Sequence, residues 1–135
     1  MPHLTYQSQA GALTLFEDDG ALVAFDWGEV PESQSSALLE EAHRQLDAYF
    51  NGTLQQFDLP LRPQGTAFQK RLWTLLQQIP YGTIQTYGDL AKALGSAARA
   101  VGGACGKNPL PIIIPCHRVI SATGKLTGYT GGDGI

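Results

Sequence analysis

The first part of the chain carries two short hydrophobic runs with the composition of β-strands. Leu13–Phe16 and Leu22–Phe25 are rich in apolar, β-prone residues, and Asp18-Asp19-Gly20 between them is typical of a tight turn. Together the two runs and the turn predict a β-hairpin near the N-terminus.

The spacing of hydrophobic residues then changes to that of a helix. From Ser35 or Ser36 to Phe50, apolar residues recur at intervals of three and four, and Asn51-Gly52 supplies a stop signal. The proline-rich segment 59–65 is extended and has the composition of a linker. We therefore expect an α/β lobe over residues 1–60 and a second lobe over residues 61–135.

The second lobe is predicted to be mainly helical. Thr66 begins an amphipathic helix with the pattern of a capping box, and Pro80-Tyr81-Gly82 ends it. Thr86 begins a short helix that stops at Gly95, and a helix of small residues spans 97–105. Two short helices around a glycine turn are typical of a helix-turn-helix. The predicted fold class is therefore α+β, with two lobes.

A thiol and an imidazole stand side by side after an apolar run. Pro111-Ile112-Ile113-Ile114 has the composition of a core strand, and Pro115-Cys116-His117-Arg118-Val119 follows it. Cys116 is a candidate nucleophile, but an ordinary cysteine has a pKa of about 8.5, so a neighbour must lower this pKa. From these residues alone, Cys116 could equally be a small buried hydrophobic residue at the end of the strand.

Composition restricts the class of protein. The apolar fraction is 43% and no apolar run is long enough to cross a bilayer, which is typical of a globular protein with no membrane partner. The first residues lack a secretory signal, so we expect an intracellular, cytoplasmic location. Cys105 and Cys116 have no CxxC spacing and support neither a disulfide framework nor a metal site.

Charge is divided unequally between the two lobes. Residues 1–60 hold ten acidic residues and one basic residue, whereas residues 61–135 hold eight basic residues and two acidic ones. This asymmetry suits a second lobe that binds a polyanion, or two lobes that attract each other. The helix of small residues carries one long cation, Arg99. Its narrow profile suits the minor groove of DNA, or close packing against another helix.

From Thr66 to Gly132 the chain resembles the O6-alkylguanine-DNA alkyltransferases, also called methylated-DNA-protein-cysteine methyltransferases. The resemblance rests on motifs in the order and spacing of that family, namely Gly82-Thr83 with Thr86-Tyr87, Ala98-Arg99-Ala100-Val101-Gly102, Asn108-Pro109, Ile114-Pro115-Cys116-His117-Arg118-Val119 and Gly128-Tyr129-Thr130-Gly131-Gly132. Residues 1–60 resemble the family only in layout. The resemblance implies a ribonuclease-H-like first lobe and a second lobe with a helix-turn-helix of winged-helix type.

The resemblance also implies the chemistry. Cys116 attacks the alkyl carbon on O6 of guanine, with O4 of thymine as a further target, and keeps the group as a thioether. His117 resembles the base that removes the thiol proton through a water, and Asn108 resembles the turn residue that shapes the site. No cofactor is needed, and each molecule acts once. The implied partner is double-stranded DNA carrying O6-alkylguanine, bound by a monomer.

Other residues of these motifs are implied to bind the DNA. Tyr87 presses on the phosphate beside the target nucleotide, and Arg99 fills the gap that the flipped base leaves. Flipping is required because O6 is stacked inside the duplex. Tyr129 packs over the bound base, and the backbone around Val119 contacts its polar edge. The remaining candidate contacts are Ala98, Gly102 and Thr130.

Two departures from the family pattern bear on activity. In the family a further helix supplies a glutamate that orients the active histidine, whereas this sequence ends at Ile135. We therefore expect either slower activation of the thiol or a fragment of a longer protein, with Asp133 as a conceivable substitute. The zinc ligands that some members carry in the first lobe are also missing, which predicts no metal.

The sequence leaves three functions open. The leading one is a single-turnover DNA repair transferase. The second is a sensor that binds alkylated DNA without transfer, and the third is a generic helix-turn-helix protein with an inert core cysteine. An alkyl group added to the peptide that holds Cys116 would distinguish the first function from the other two.

Overall fold

A computed structural model describes residues 1–9, 11–30 and 34–120 of the chain. The chain divides into two compact units, the first over Met1–Pro63 and the second beginning at Gln64. Among the described residues, the first unit contains an antiparallel sheet and one long helix, and the second is mainly helical. This α+β architecture is the fold class that the sequence predicts.

The sheet of the first unit is an antiparallel meander in the order β1-β2-β3. Its strands are β1 (His3–Ser8), β2 (Gly11–Asp18) and β3 (Ala21–Trp27). Asp19 and Gly20 both have positive φ angles, 48° and 79°, as the tightest hairpin turns require. The hairpin predicted around Asp18-Asp19-Gly20 is therefore confirmed, with a register shift between Phe16 and Glu17.

Strand β1 was not predicted from the sequence. Within it only Tyr6 is buried, so the alternation of apolar and polar residues that marks a strand is weak. Its register is set by pairing with β2, where Tyr6 lies opposite Leu13. Across the same pair of strands, the hydroxyls of Thr5 on β1 and Thr14 on β2 share a hydrogen bond at 2.9 Å. Tertiary pairing thus supplies what local sequence does not.

Helix α1 (Ala37–Phe50) packs on this sheet through one apolar face. The Ser36 hydroxyl accepts the backbone N–H of Leu39 at 3.2 Å, so Ser36, one of the two starts that the sequence allows, is the N-cap. The apolar core of the unit has contributions from both layers. It includes Leu13, Leu15, Leu22, Leu39 and Leu46, all 0% exposed.

The segment predicted as a linker is extended, and part of it pairs with β3. The backbone N–H of Leu22 donates to the Pro60 carbonyl at 2.9 Å, and the Arg62 N–H donates to the Leu22 carbonyl at 2.8 Å. The Arg62 side chain also donates to the Asp18 backbone carbonyl at 2.6 Å. These bonds attach the end of the first unit to its own hairpin.

Over residues 64–120, the second unit contains three α-helices and a short parallel pair of strands. The helices are α2 (Ala67–Gln77), α3 (Tyr87–Leu94) and α4 (Ala98–Gly106), and β4 (Gln85–Thr86) pairs with β5 (Val119–Ile120). Both predicted N-caps are confirmed, since Thr66 and Thr86 each form a capping box with the residue three positions on. Gly95 ends α3 in the left-handed conformation, with φ 65°, and α4 follows. The two helices around a glycine turn are therefore present as predicted.

None of the helices in the described parts of the chain has the length and apolarity that crossing a bilayer requires. Over the same residues, no group of three or more His, Cys, Asp or Glu side chains is arranged to hold a metal ion.

Candidate active site

Asn108 closes the turn that joins α4 to the cysteine. Its Nδ2 donates to the carbonyl of Ile114 at 2.8 Å, and its Oδ1 accepts the backbone N–H of Leu110 at 2.9 Å. The Ile114 N–H in turn donates to the Leu110 carbonyl at 2.8 Å. An asparagine that binds backbone on both sides of a loop fixes the loop as a turn.

The apolar run within this turn is not a strand, which corrects the expectation of a core strand ending at Cys116. Pro111 and Ile114 form an isolated bridge, and Ile112 between them has φ 75°, a strained conformation for a β-branched residue. Such strain costs about 1–3 kcal/mol and persists only where surrounding contacts impose it. Ile112 is fully buried, and the bonds of Asn108 enclose it.

Cys116 begins a single turn of 3-10 helix, Cys116–Arg118. Its backbone N–H donates to the Ile114 carbonyl at 2.8 Å, the same oxygen that Asn108 binds, and the Arg118 N–H donates to Pro115 at 3.0 Å. The cysteine is 3% exposed. His117 therefore lies on the same tight turn as the thiol, and the two do not occupy opposite faces of a strand.

Burial controls the protonation of both candidate groups. It raises the pKa of the Cys116 thiol to about 11, although a hydrogen bond from the Asn108 side chain acts to lower it. Burial also lowers the pKa of His117 to about 4, with a smaller contribution from the Arg118 charge. The expectation that a neighbour lowers the thiol pKa is therefore not met in the free protein. At neutral pH the pair consists of a neutral thiol and a neutral imidazole.

Helix α4 buries one face and exposes the other. Val101, Ala104 and Cys105 are buried, whereas Ala98 and Arg99 in the first turn are exposed. Gly103 is exposed as well, and Gly102 is half-buried. The exposed face thus consists of small residues around a single long cation, as the sequence predicts.

Tyr87 is buried at the start of α3, with 6% of its surface exposed. A Cβ atom on Gly102 would lie 3.9 Å from the Tyr87 ring, so the small residue of α4 faces the tyrosine. Small residues in α4 therefore serve helix packing at Gly102 and leave an open surface near Arg99. Close packing against another helix, one of the two interpretations of the small-residue helix, is confirmed at Gly102. The minor-groove interpretation stays a prediction.

The β4–β5 pair joins the cysteine turn to α3. Val119 is fully buried and lies opposite Gln85, while Ile120 lies opposite Thr86, the N-cap of α3. The turn that carries Cys116 is therefore continuous with a strand that runs beside the start of the Tyr87 helix. Tyr129 and Thr130, the remaining predicted site residues, lie outside the described residues.

Three residues near the site were not predicted to take part in it. Arg118 donates to the Ile79 carbonyl at 2.7 Å, and Trp73 Nε1 donates to the Ala104 carbonyl at 3.1 Å. Cys105 is buried, and its pKa is raised to about 12 by burial and by the nearby Cys116. Arg118 could have been found from the sequence because it lies in the cysteine motif. No signal in the sequence indicates that Trp73 binds Ala104 or that Cys105 lies near Cys116.

The fold and the site define a class of protein, a two-unit α+β chain in which two short helices around a glycine turn accompany a turn that carries a buried cysteine and a half-buried histidine. Family models match both units, the ribonuclease-like domain of 6-O-methylguanine DNA methyltransferase over residues 1–63 and the DNA binding domain of that protein over residues 67–135. The chain belongs to the 6-O-methylguanine DNA methyltransferase family.

Individual relatives cover nearly the whole chain. A methylated-DNA--protein-cysteine methyltransferase of Methanosarcina acetivorans is 48% identical over 98% of this chain and 91% of its own length. The constitutive enzyme of that name from Bacillus subtilis is 40% identical over 96% of this chain and 86% of its own. The crystal structure of Mycobacterium tuberculosis OGT in complex with DNA matches with a TM-score of 0.87 and 44% identity, covering 98% of this chain and 86% of that one.

Proposed function

We propose that this protein repairs DNA by moving an alkyl group from O6-alkylguanine in a duplex to its own Cys116. Family membership supports this function, and so does the arrangement of Cys116, His117 and Asn108 around one fixed turn. The observation that carries the proposal is that the Asn108 side chain donates to the Ile114 carbonyl, the same oxygen that accepts the backbone N–H of Cys116.

The proposed step is a displacement at the alkyl carbon. The Cys116 sulfur forms a bond to this carbon while the bond from carbon to guanine O6 breaks, and O6 keeps the electron pair. The thiol proton leaves through His117, and guanine takes up one proton, so the products are a thioether and an unmodified guanine. The displacement requires no cofactor, and the thioether is not reversed, so each molecule acts once.

The protonation states of Cys116 and His117 bear on when the thiol loses its proton. Burial raises the pKa of the Cys116 thiol to about 11 and lowers that of His117 to about 4, so proton transfer from the thiol to the imidazole is unfavourable in the free protein. The thiolate is therefore scarce until a substrate is bound. We propose that proton loss to His117 accompanies attack on the bound base, when the leaving guanine accepts charge.

Residues of α3 and α4 form the proposed DNA contact. Arg99 is exposed on the first turn of α4, where small neighbours allow close approach to a groove. In the proposal Arg99 fills the space of the flipped base, and Tyr87 acts on the adjacent phosphate. Flipping costs a few kcal/mol, which these contacts offset. Further proposed contacts are Ala98, Gly102, Val119, Tyr129 and Thr130.

We further propose that the protein binds double-stranded DNA as a monomer and acts inside the cell, where that DNA lies. No membrane takes part in the proposed reaction.

Intact-protein and peptide mass spectrometry after incubation with a duplex holding one O6-methylguanine tests the function. We expect one methyl group on the peptide that contains Cys116 and restored guanine in the duplex. Cys105→Ser is the matched control and keeps this product, whereas Cys116→Ser abolishes it. Damage-selective binding without an adduct would indicate a sensor, and an adduct on Cys105 would also contradict the proposal.

A further inference from the structure

Arg118 attaches the cysteine turn to the chain segment after α2. Its Nη1 donates to the backbone carbonyl of Ile79 at 2.7 Å, and its guanidinium carbon lies 5.6 Å from the centre of the Tyr81 ring. The side chain is half-buried. A directed hydrogen bond and a cation–π contact together fix both the position and the plane of a guanidinium group.

The acceptor of this bond belongs to a fixed part of the second unit. Ile79 is 2% exposed, and its N–H donates to the Leu76 carbonyl at 3.1 Å, which continues the end of α2. The C-terminal end of a helix favours a cation because its carbonyls carry partial negative charge. The Trp73 bond to Ala104 joins the same helix to α4. Arg118 is therefore attached to a frame that also holds α4.

The backbone of Arg118 fixes the other side of the turn. Its N–H donates to the Pro115 carbonyl at 3.0 Å and closes the 3-10 turn, and the next residue, Val119, is fully buried in β5. His117 thus lies between a buried cysteine and an arginine that is held by both its backbone and its side chain. The backbone at His117 is therefore held on both sides.

We propose that Arg118 is a positioning residue for alkyl transfer, which fixes the Cys116–Arg118 turn to the Ile79 carbonyl and so orients His117 toward the thiol. This inference rests on the proposed function. Arg118 contacts neither the alkyl group nor the base, and its effect passes through the turn.

The test compares Arg118→Gln and Arg118→Lys on two substrates. The free base O6-benzylguanine reports transfer to Cys116 without any DNA contact, and a duplex with one O6-methylguanine reports the complete reaction. We expect Arg118→Gln to slow transfer from the free base by about 10- to 100-fold, as misplacement of a catalytic group does. Arg118→Lys retains a cationic donor for the Ile79 carbonyl, so a smaller loss is expected.

Two further variants separate positioning from general effects. Tyr81→Ala removes the ring under the guanidinium, so it lowers the free-base rate by less than Arg118→Gln does. Arg44→Gln removes an exposed arginine of the first unit, whose partner is Glu41, and leaves the rate unchanged. Thermal unfolding is measured for each variant, and rates are taken well below the transition.

The outcomes are distinct. Equal free-base rates for wild type and Arg118→Gln overturn this inference alone, even if the variant unfolds at a lower temperature. A loss confined to the duplex substrate assigns Arg118 to phosphate binding and overturns it as well. If the wild-type protein reacts with neither the free base nor the duplex, the proposed function is overturned, and this inference with it.

Discussion

The Asn108 side-chain amide and the Cys116 backbone N–H donate to one and the same oxygen, the carbonyl of Ile114, each at 2.8 Å. Cys116 is therefore placed by the turn that Asn108 closes. Because this turn also contains Ile112 in a strained conformation, the hydrogen bonds of Asn108 counter a tendency of the loop to relax.

Replacing Asn108 with alanine tests this relationship. Asn108→Ala leaves the Leu110 N–H without its acceptor, so we expect a loss of about 1–3 kcal/mol in the free energy of unfolding. Transfer to Cys116 slows by a larger factor than DNA affinity falls. Urea unfolding and single-turnover rates measure the two effects.

Asn51→Ala is the matched control for this variant. Asn51 is exposed at the end of α1, and its Nδ2 donates to Asp47 Oδ2 in a long hydrogen bond of 3.4 Å. A cost below about 0.5 kcal/mol is expected there. Equal costs for the two asparagine variants would argue against a role for Asn108 in fixing the turn.

Gly65 is constrained by the aromatic ring that follows it in the second unit. A Cβ atom at Gly65 would lie 2.5 Å from Cη2 of Trp73, which is 1% exposed and cannot move away freely. Gly65→Ala is therefore expected to destabilise the protein by about 1–3 kcal/mol. Gly103→Ala is the control, since nothing lies within 4 Å of its added Cβ and alanine favours a helix. Thermal and urea unfolding measure the two variants. Equal unfolding temperatures and equal free energies of unfolding for Gly65→Ala and Gly103→Ala would contradict this prediction.

The extent to which the sequence predicts this fold depends on how local each signal is. Ser36, Thr66 and Thr86 are caps whose partners lie three residues away, so the starts of three helices follow from the sequence. Strand β1 does not, because only its pairing partner shows that it is a strand.

The candidate site likewise has features that local sequence predicts and features that depend on tertiary packing. The motif around Cys116 identifies the thiol, its histidine and Asn108, since these residues are close in sequence. The run Pro111-Ile112-Ile113-Ile114 has strand propensity, but the hydrogen bonds of the Asn108 side chain and the flanking prolines impose a turn. The raised thiol pKa could not be predicted either, because burial is a property of the packed unit.

Trp73 connects α2 to α4 by one buried hydrogen bond. Trp73→Phe keeps an aromatic ring but removes the Nε1 donor, so the Ala104 carbonyl loses its partner and a small cavity forms. We expect a loss of about 1–3 kcal/mol, measured by circular dichroism during urea unfolding, together with weaker DNA binding because α4 is less well held.

Trp27→Phe is the control for the tryptophan variant. Within the described residues, the buried Trp27 Nε1 has no hydrogen-bond partner, so removing it costs no bond. Its effect on stability is therefore expected to be clearly smaller than that of Trp73→Phe. A larger effect at Trp27 would show that ring size, and not the bond to Ala104, governs both positions.

His117 makes the stability of the protein depend on pH. Its pKa is about 4 in the folded protein and about 6.5 when unperturbed, because burial disfavours the charged imidazole. Between these values the unfolded chain binds a proton that the folded protein does not, so stability is complete above about pH 6.5 and is lost as the pH falls toward 4. The loss from this group is on the order of 3 kcal/mol.

His117→Gln removes this contribution, since glutamine does not titrate. The free energy of unfolding, measured by urea at pH 7.0 and again at a pH of about 4.5, is therefore expected to fall less in the variant than in the wild type. Measuring both proteins at each pH cancels the contributions of carboxylates, which titrate in both. An equal fall in the two proteins would mean that His117 is hydrated enough to be protonated in the folded state, and that the neutral imidazole required for accepting the thiol proton is not maintained by burial.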